Sequence, residues 1–396
     1  MLVSFDGMRH DFLDRVATPA FDRLAGRGVR AEALLPVFPT KTFPNHYAIA
    51  TGNYGDAHGI VANVFYDPAR GAWFRLSDRA AVEDGRWYGG EPIWTTAERQ
   101  GVRAATFFWP GSEAKIGGWR PSYWERYDGT VPDSVRVDSS IAWLRLPPPA
   151  RPRLVMLYFS GVDDAAHHFG PLSPEADSAV VHADRMLGRL LDSLGALPIA
   201  ERVNVVVVSD HGMVRVGEGQ VIALDTIAPL DSTVRSGDPG PLLSLWFGGD
   251  TARLEAAHAA LSAGMRHARA YRRDEIPARW RVARTARIGD LLVVAEPGWL
   301  VTRSVPAWSA RPAPGQHGYD PAEPDVHGIF LASGPGIAGA GSVPPFENIH
   351  VHPLVAHLLG IAPSPSADGR LEAVRGLLAR GDRDRWETAP SGAETP

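Results

Sequence analysis

Along the chain, short runs of apolar and β-branched residues repeatedly give way to stretches with helical spacing. Leu2–Phe5, Val102–Phe108, Leu154–Phe159, Val203–Val208 and Gly328–Leu331 are almost continuously apolar, the pattern of strands buried on both faces. Between them, Thr18-Pro19 opens a helix that Gly28 closes, and Ser173-Pro174 opens another running to about Leu194. Strands alternating with helices predict an α/β fold, a mostly parallel central sheet flanked by helices on both faces. In such sheets the chemistry gathers at the carboxyl ends of the strands. Residues 1–380 read as a single domain without internal repeats. The arginine-rich, motif-poor stretch from about Gly219 to Arg311 is expected to cap the sheet and shape a pocket mouth. Pro147-Pro148-Pro149 reads as a stiff loop, and the polar residues 381–396 as a frayed tail.

Composition narrows the chemistry. The 396 residues are 44% hydrophobic and 21% charged, an ordinary folded balance, and a net charge of -5 supplies no basic field for a nucleic-acid polymer or an anionic membrane. No apolar run approaches the ~20 residues of a membrane span. With no cysteine, disulfides, thiolate metal sites and cysteine nucleophiles are excluded, so any metal must sit on Asp, Glu and His. Met1 runs directly into the first strand. That abrupt start suggests a missing upstream targeting segment, which would favour a periplasmic or secreted location; otherwise the cytoplasm is expected.

The unusual polar residues sit where strands end. Asp6-Gly7 follows the first strand and Asp210-His211-Gly212 follows the run of valines, each a short metal-competent turn or simply a turn. Beyond Phe159, Asp163 and His167 are spaced so that one helical turn brings both onto one face. His317 lies between glycines in Gly-Gln-His-Gly-Tyr-Asp, on a loop before the last strand. Together Asp6, Asp163, Asp210, His167, His211 and His317 make an oxygen and nitrogen ligand set for two divalent ions, which zinc fits best. Thr42, in Pro-Thr-Lys-Thr-Phe-Pro-Asn-His-Tyr, stands at a helix start prepared by Pro44, where free N–H groups favour anions. It is a helix cap or a metal-activated hydroxyl.

These motifs, in this order, resemble the nucleotide pyrophosphatase/phosphodiesterase family of the alkaline phosphatase superfamily, with Val-Ser-Phe-Asp-Gly, the Thr42 segment, the later Thr-Gly and His-Gly-Ile, Ser-Asp-His-Gly-Met and His-Gly-Tyr-Asp all present. The likeness runs from residue 2 to about 360. It implies a stand-alone bacterial type of phosphodiesterase catalytic domain. One zinc would be held by Asp163, His167 and His317, and a second by Asp6, Asp210, His211 and the Thr42 oxygen. Thr42 would attack phosphorus to form a covalent phospho- or nucleotidyl-threonine that water then hydrolyses. Asn63, with the backbone N–H after the nucleophile, would hold a non-bridging oxygen, and Phe43 and Tyr158 would stack a nucleobase. Lys41, one of only two lysines with Lys115, is a further source of positive potential or an exposed loop residue. The expected substrates are small nucleotides or phosphodiesters, with release of nucleoside 5′-monophosphates. A lysophospholipid or glycerophosphodiester hydrolase and a phosphomonoesterase remain as alternatives on the same two metals. A sulfatase is excluded, because its C/S-x-P-x-R signature is absent. A non-catalytic metal-binding module would lack the nucleophile.

Overall fold

The computed structural model describes residues 1–305 and 312–381. Most of the expected tail, and residues 306–311 of the arginine-rich stretch, thus lie outside the described residues. At the centre is an eight-stranded sheet in the order Gly341–Val343, Val29–Ala31, Phe330–Ser333, Val205–Val208, Leu2–Phe5, Leu154–Phe159, Ala104–Phe107 and Tyr123–Glu125. The five strands from Val205–Val208 to Tyr123–Glu125 run parallel, in the register Leu2 opposite Met156 and Leu2 opposite Val206.

Side-chain alternation along these strands explains why they read as unbroken apolar runs. Leu2, Met156, Val206 and Phe330 enter the core on one face, whereas Val3, Leu157, Val207 and Leu331 enter the core on the other. The helix Pro174–Gly195, capped by the Ser173 hydroxyl on the Ala176 N–H, and the helix Pro19–Gly26 cover the second face. Their starts fall where the sequence places them.

The last core strand differs from expectation. It spans Phe330–Ser333, two residues later than the apolar run suggests, and is antiparallel to Val205–Val208. Gly328 instead bridges Leu34 before the strand begins. Reversal puts the start of this strand at the edge where its parallel neighbours end. The loop carrying His317 therefore arrives at the same edge as Asp6, Asp163 and Asp210.

The arginine-rich stretch holds a second, four-stranded antiparallel sheet ordered Arg235–Ser236, Leu242–Trp246, Leu291–Ala295 and Ala268–Arg272. With the helix Thr251–Gly264 it closes a core of its own around Leu243, Leu245, Leu261, Leu291 and Val293, to which Tyr319 contributes. Its arginines largely pair with acids at the surface, Arg253 with Asp231 and Arg272 with Glu255, arrangements worth little stability individually. Among the described residues no helix is long and apolar enough to cross a membrane.

Candidate active site

Asp6 ends the first strand, and the chain turns at once through Gly7, whose φ is 66°. A Cβ there would lie 2.8 Å from the Asp163 Cα, so only glycine lets the third ligand segment approach this closely. Two hydrogen bonds fasten that approach: the Asp163 N–H donates to the Asp6 carbonyl at 3.1 Å, and the Gly7 N–H to Asp210 Oδ1 at 3.3 Å. Three carboxylates from three strand ends are drawn into one cluster. Asp163 and His167 lie one turn apart on the helix Gly161–Phe169, with His167 Nε2 3.5 Å from Asp163 Oδ2.

The imidazoles are oriented alike. His167 Nδ1 lies 2.8 Å from the Gly315 carbonyl, His211 Nδ1 2.9 Å from that of Gly212, and His317 Nδ1 2.8 Å from that of Thr40. Carbonyls only accept, so each Nδ1 carries a proton and each ring turns its Nε2, the atom that would face a metal, into the cluster. There the Nε2 atoms meet carboxylate oxygens: His211 Nε2 is 3.0 Å from Asp210 Oδ2 and 3.5 Å from Asp6 Oδ1, and His317 Nε2 is 3.6 Å from Asp163 Oδ1. Asp6 Oδ1, Asp163 Oδ1 and Asp210 Oδ2 are buried without a hydrogen bond. Three carboxylates with unsatisfied oxygens gathered in one buried site call for positive charge between them.

Charge balance says the same. Burial, then the charges of Asp210 and Asp163, push the Asp6 carboxyl well above the usual carboxylate range, and burial also raises Asp163. At Asp210 burial is outweighed by His211 and His46, which hold it well below that range. Burial, together with His211, His167 and Lys41, keeps His317 neutral far below the usual imidazole range. Two groups of donors stand close enough to share an ion, Asp163 with His211 and His317, and Asp6 with Asp210 and His211. This partition differs in one respect from the expected ligand sets: His211 stands between the two groups, its ring stacked on His317 with centroids 3.6 Å apart, while His167 lies at the margin.

Thr42 is the first residue of the helix Thr42–Thr51, and its Oγ1 lies 3.3 Å from His211 Nε2. The preceding turn is held by Asn45, whose side-chain amide donates to the carbonyls of Pro39 (2.9 Å) and Lys41 (3.0 Å) while its oxygen accepts from the Val37 N–H. The Phe43 N–H, which sequence reasoning paired with Asn63 as a joint oxygen-binding site, donates to Asn63 Oδ1 at 3.1 Å. That N–H is therefore engaged, and the Asn63 amide nitrogen is the donor left for a ligand. Lys41 lies behind this turn, its ammonium favoured by Asp238 of the second sheet's segment and by Asp163, though burial lowers its pKa overall.

A cavity of about 240 Å³ opens from Asp6, Thr42 and Asp163 and runs between Phe43, Tyr127 and Tyr158. The two tyrosines differ. Tyr158, 6% exposed, donates its hydroxyl to Asp6 Oδ2 at 2.6 Å and packs its ring edge-on against His46, whereas Tyr127 is 42% exposed. Tyr158, expected to stack a base, has its hydroxyl committed to Asp6, and the cavity is lined besides Phe43 by a second, more exposed tyrosine, Tyr127, which no motif marks and whose ring packs edge-on against Phe108 with centroids 5.2 Å apart. His46 was also overlooked although it lies one helical turn after Thr42. It is fully buried, with Nδ1 3.0 Å from the Thr42 carbonyl and 3.3 Å from Asp210 Oδ2, and Nε2 2.8 Å from the Ser4 hydroxyl.

A hydroxyl at a helix start, beside a buried cluster of carboxylates and imidazoles at the edge of a mixed α/β sheet, defines a metal-dependent hydrolase of the alkaline phosphatase type. The chain belongs to the type I phosphodiesterase / nucleotide pyrophosphatase family, whose model matches residues 1–320. It is 34% identical to an uncharacterised pyrophosphatase/phosphodiesterase of Schizosaccharomyces pombe, over 92% of this chain and 78% of that protein. It is 33% identical to human ectonucleotide pyrophosphatase/phosphodiesterase family member 5, over 96% of this chain and 77% of that protein, and 33% identical to human member 1, of which it spans only 40%. Among solved structures, murine ectonucleotide pyrophosphatase/phosphodiesterase 5 superposes with a TM-score of 0.89 at 33% identity, covering 96% of this chain and 99% of that one. An inactive threonine-to-alanine variant of the murine protein in complex with AMP superposes equally well, with a TM-score of 0.89.

Proposed function

We propose that this protein hydrolyses nucleotide phosphodiester and pyrophosphate bonds through a covalent intermediate on Thr42, releasing nucleoside 5′-monophosphates. The observation that carries the reading is the set of buried carboxylate oxygens without hydrogen bonds that face imidazole Nε2 atoms beside the Thr42 hydroxyl. Asp6, Asp210, His211 and Thr42 would hold one divalent ion, and Asp163, His167 and His317 the other, zinc being the metal their donor types suit best. Two such ions supply stabilisation of the negative charge that develops on the attacking and leaving oxygens. The chain's own groups do the rest. Asn45 holds the turn that aims the Thr42 oxygen into the cavity; that oxygen loses its proton to water and bonds to phosphorus as the leaving oxygen departs, and a second water then attacks the same phosphorus, breaking the Thr42 O–P bond and freeing the 5′-monophosphate. The Asn63 amide nitrogen steadies a non-bridging oxygen. A base lies between Phe43 and Tyr127 with Tyr158 as floor, and the Tyr158 hydroxyl keeps Asp6 oriented.

The segment from about residue 219 to 305, with its separate sheet, acts on this reading as an insertion in one catalytic domain and reaches the site through Asp238 and Lys41. An extracytoplasmic location belongs to the same proposal, supported by the names of the ecto-type relatives. The test is kcat/KM on thymidine 5′-monophosphate p-nitrophenyl ester, bis-p-nitrophenyl phosphate and p-nitrophenyl phosphate with one metal-loaded preparation. The nucleotidyl diester should lead. Equal or faster turnover of the monoester would replace this reading with a phosphatase.

A further inference from the structure

The turn that leads into Thr42 and the loop that carries His317 meet at Thr40. This threonine is fully buried, and its hydroxyl donates to the Tyr319 carbonyl at 3.1 Å while accepting the Gly318 N–H at 2.9 Å. Its own carbonyl accepts His317 Nδ1 at 2.8 Å. Thr40 thus grips three consecutive residues of the other loop, and the His317 imidazole is held by a backbone group only two residues before the nucleophile. Both sides of the grip are fixed in turn. Asn45 holds the carbonyls of Pro39 and Lys41, the neighbours of Thr40 in the chain. Tyr319 is buried in the core of the second sheet, where its hydroxyl donates to the Trp299 carbonyl at 3.0 Å. Gly318, with a φ of 127°, lets the two segments pack closely, since a Cβ there would lie 3.2 Å from Lys41 Cε.

We infer that Thr40 is a positioning residue whose hydroxyl fixes the spacing of Thr42 and His317, one on each metal half-site. This rests on the two-metal reading proposed above. Valine has nearly the shape of threonine but no hydroxyl, so in Thr40→Val the Gly318 N–H and the Tyr319 carbonyl each lose a partner in a buried place and regain one only by a shift of the loop. The His317 ring shifts with that loop. Groups that orient a metal-bound imidazole commonly change affinity by ~10- to 100-fold. The loss should fall on one ion, because Asp6 and Asp210 are held from elsewhere, by Tyr158, Gly7 and His46.

Zinc titration of metal-free protein against a chromogenic chelator tests this in the wild type, Thr40→Val and Thr40→Ser, with kcat and KM read on thymidine 5′-monophosphate p-nitrophenyl ester at saturating zinc. The wild type should take up two ions. In Thr40→Val one of them should bind about tenfold or more weakly and the other as before, while kcat falls by ~10- to 100-fold and KM changes only a few-fold. Thr40→Ser keeps the hydroxyl and should return both readings toward wild type. A hydroxyl that merely stabilises the fold would lower the Tm of the metal-free chain and leave the zinc titration unmoved. That outcome would overturn the assignment, as would an equal loss at both ions or a Thr40→Ser that behaves like Thr40→Val. Should Thr40→Val not fold, Thr40→Ala is judged by the same outcomes. A wild type that binds two ions and turns over the ester, with variants that match it, strikes this inference alone; a wild type that takes up fewer than two ions removes the two-metal reading with it.

Discussion

The cavity has two ends built on different principles. At the Thr42 end most polar groups stand on or directly after regular structure, Asp6 and Asp210 following core strands and Asp163 and His167 riding one helix, while His317 stands on a loop, and His167, His211 and His317 each set Nδ1 against a backbone carbonyl. At the Glu113 end the walls come from loops and a short helix, Arg79–Val82, between the core elements. The first end concentrates uncompensated negative charge and needs rigid geometry, because an ion tolerates little displacement. The second presents apolar surface with one polar pair, and can vary without disturbing the sheet. Reaction type therefore belongs to the scaffold, and substrate preference to the segments laid across it.

The sharpest break in this comparison comes from the scaffold end. Thr42→Ala should lower kcat/KM on a nucleotidyl diester by ~10³-fold or more, since only positioning and electrostatics remain when a nucleophile is lost. Circular dichroism should stay unchanged, and Thr42→Ser should be much milder. A Thr42→Ala variant keeping a tenth of wild-type turnover would end the covalent reading.

Metal removal should be nearly as severe and should also register in stability. Chelation should abolish turnover, and elemental analysis of active protein should give two divalent ions per chain. Because the ions would bind carboxylates that only the folded chain gathers, zinc at about 100 times its dissociation constant should stabilise the fold by roughly 3 kcal/mol per site, visible as a raised Tm. An active preparation holding a single ion, or a Tm indifferent to metal, would contradict the two-site arrangement.

The two ends were not equally legible in the sequence. Asp6, Asp210 and Asp163 could be found because a parallel sheet sends its strand ends to one edge, and the spacing of Asp163 and His167 matches a helical turn. His317 was legible only as a loop residue; its position follows from the reversal of Phe330–Ser333, and an apolar run does not reveal strand direction. His46 was hidden by its neighbours, as a buried histidine in an apolar helix carries no periodic signal of its hydrogen bonds. At the pocket end, Tyr127, Arg79 and Glu113 are distant in sequence and meet only through the tertiary packing of loops, so no spacing links them. Tyr158 shows the limit: its proximity to Asp163 in sequence says nothing about which way its hydroxyl is committed, and in the fold it lines the cavity with that hydroxyl on Asp6.

At the pocket end the expected effects are smaller and selective. Base stacking on an aromatic ring is worth ~1–3 kcal/mol, so Phe43→Ala and Tyr127→Ala should each reduce the ratio of nucleotidyl to bis-p-nitrophenyl turnover by roughly ten- to a hundredfold. A ratio that survives both substitutions would place the base elsewhere.

The smallest expected effect separates the two tyrosines. Tyr158→Phe keeps the ring and removes only the hydroxyl that donates to Asp6 Oδ2 at 2.6 Å. If Tyr158 supports the metal ligand, the loss leaves Asp6 less firmly oriented. Metal affinity, measured by competition with a chromogenic chelator, should then fall by about tenfold, the lower end of what outer partners of metal ligands contribute. Turnover at saturating metal should change only a few-fold, and the nucleotidyl preference should stay at its wild-type value, because a phenyl ring fills the floor as a phenol does. Tyr127→Ala should behave in the opposite way, with metal affinity retained and nucleotidyl preference reduced. Should Tyr158→Phe leave metal affinity untouched, the hydroxyl contact with Asp6 has no part in holding the ion, and the boundary drawn between the two ends of the cavity would have to move to include Tyr158 with the base.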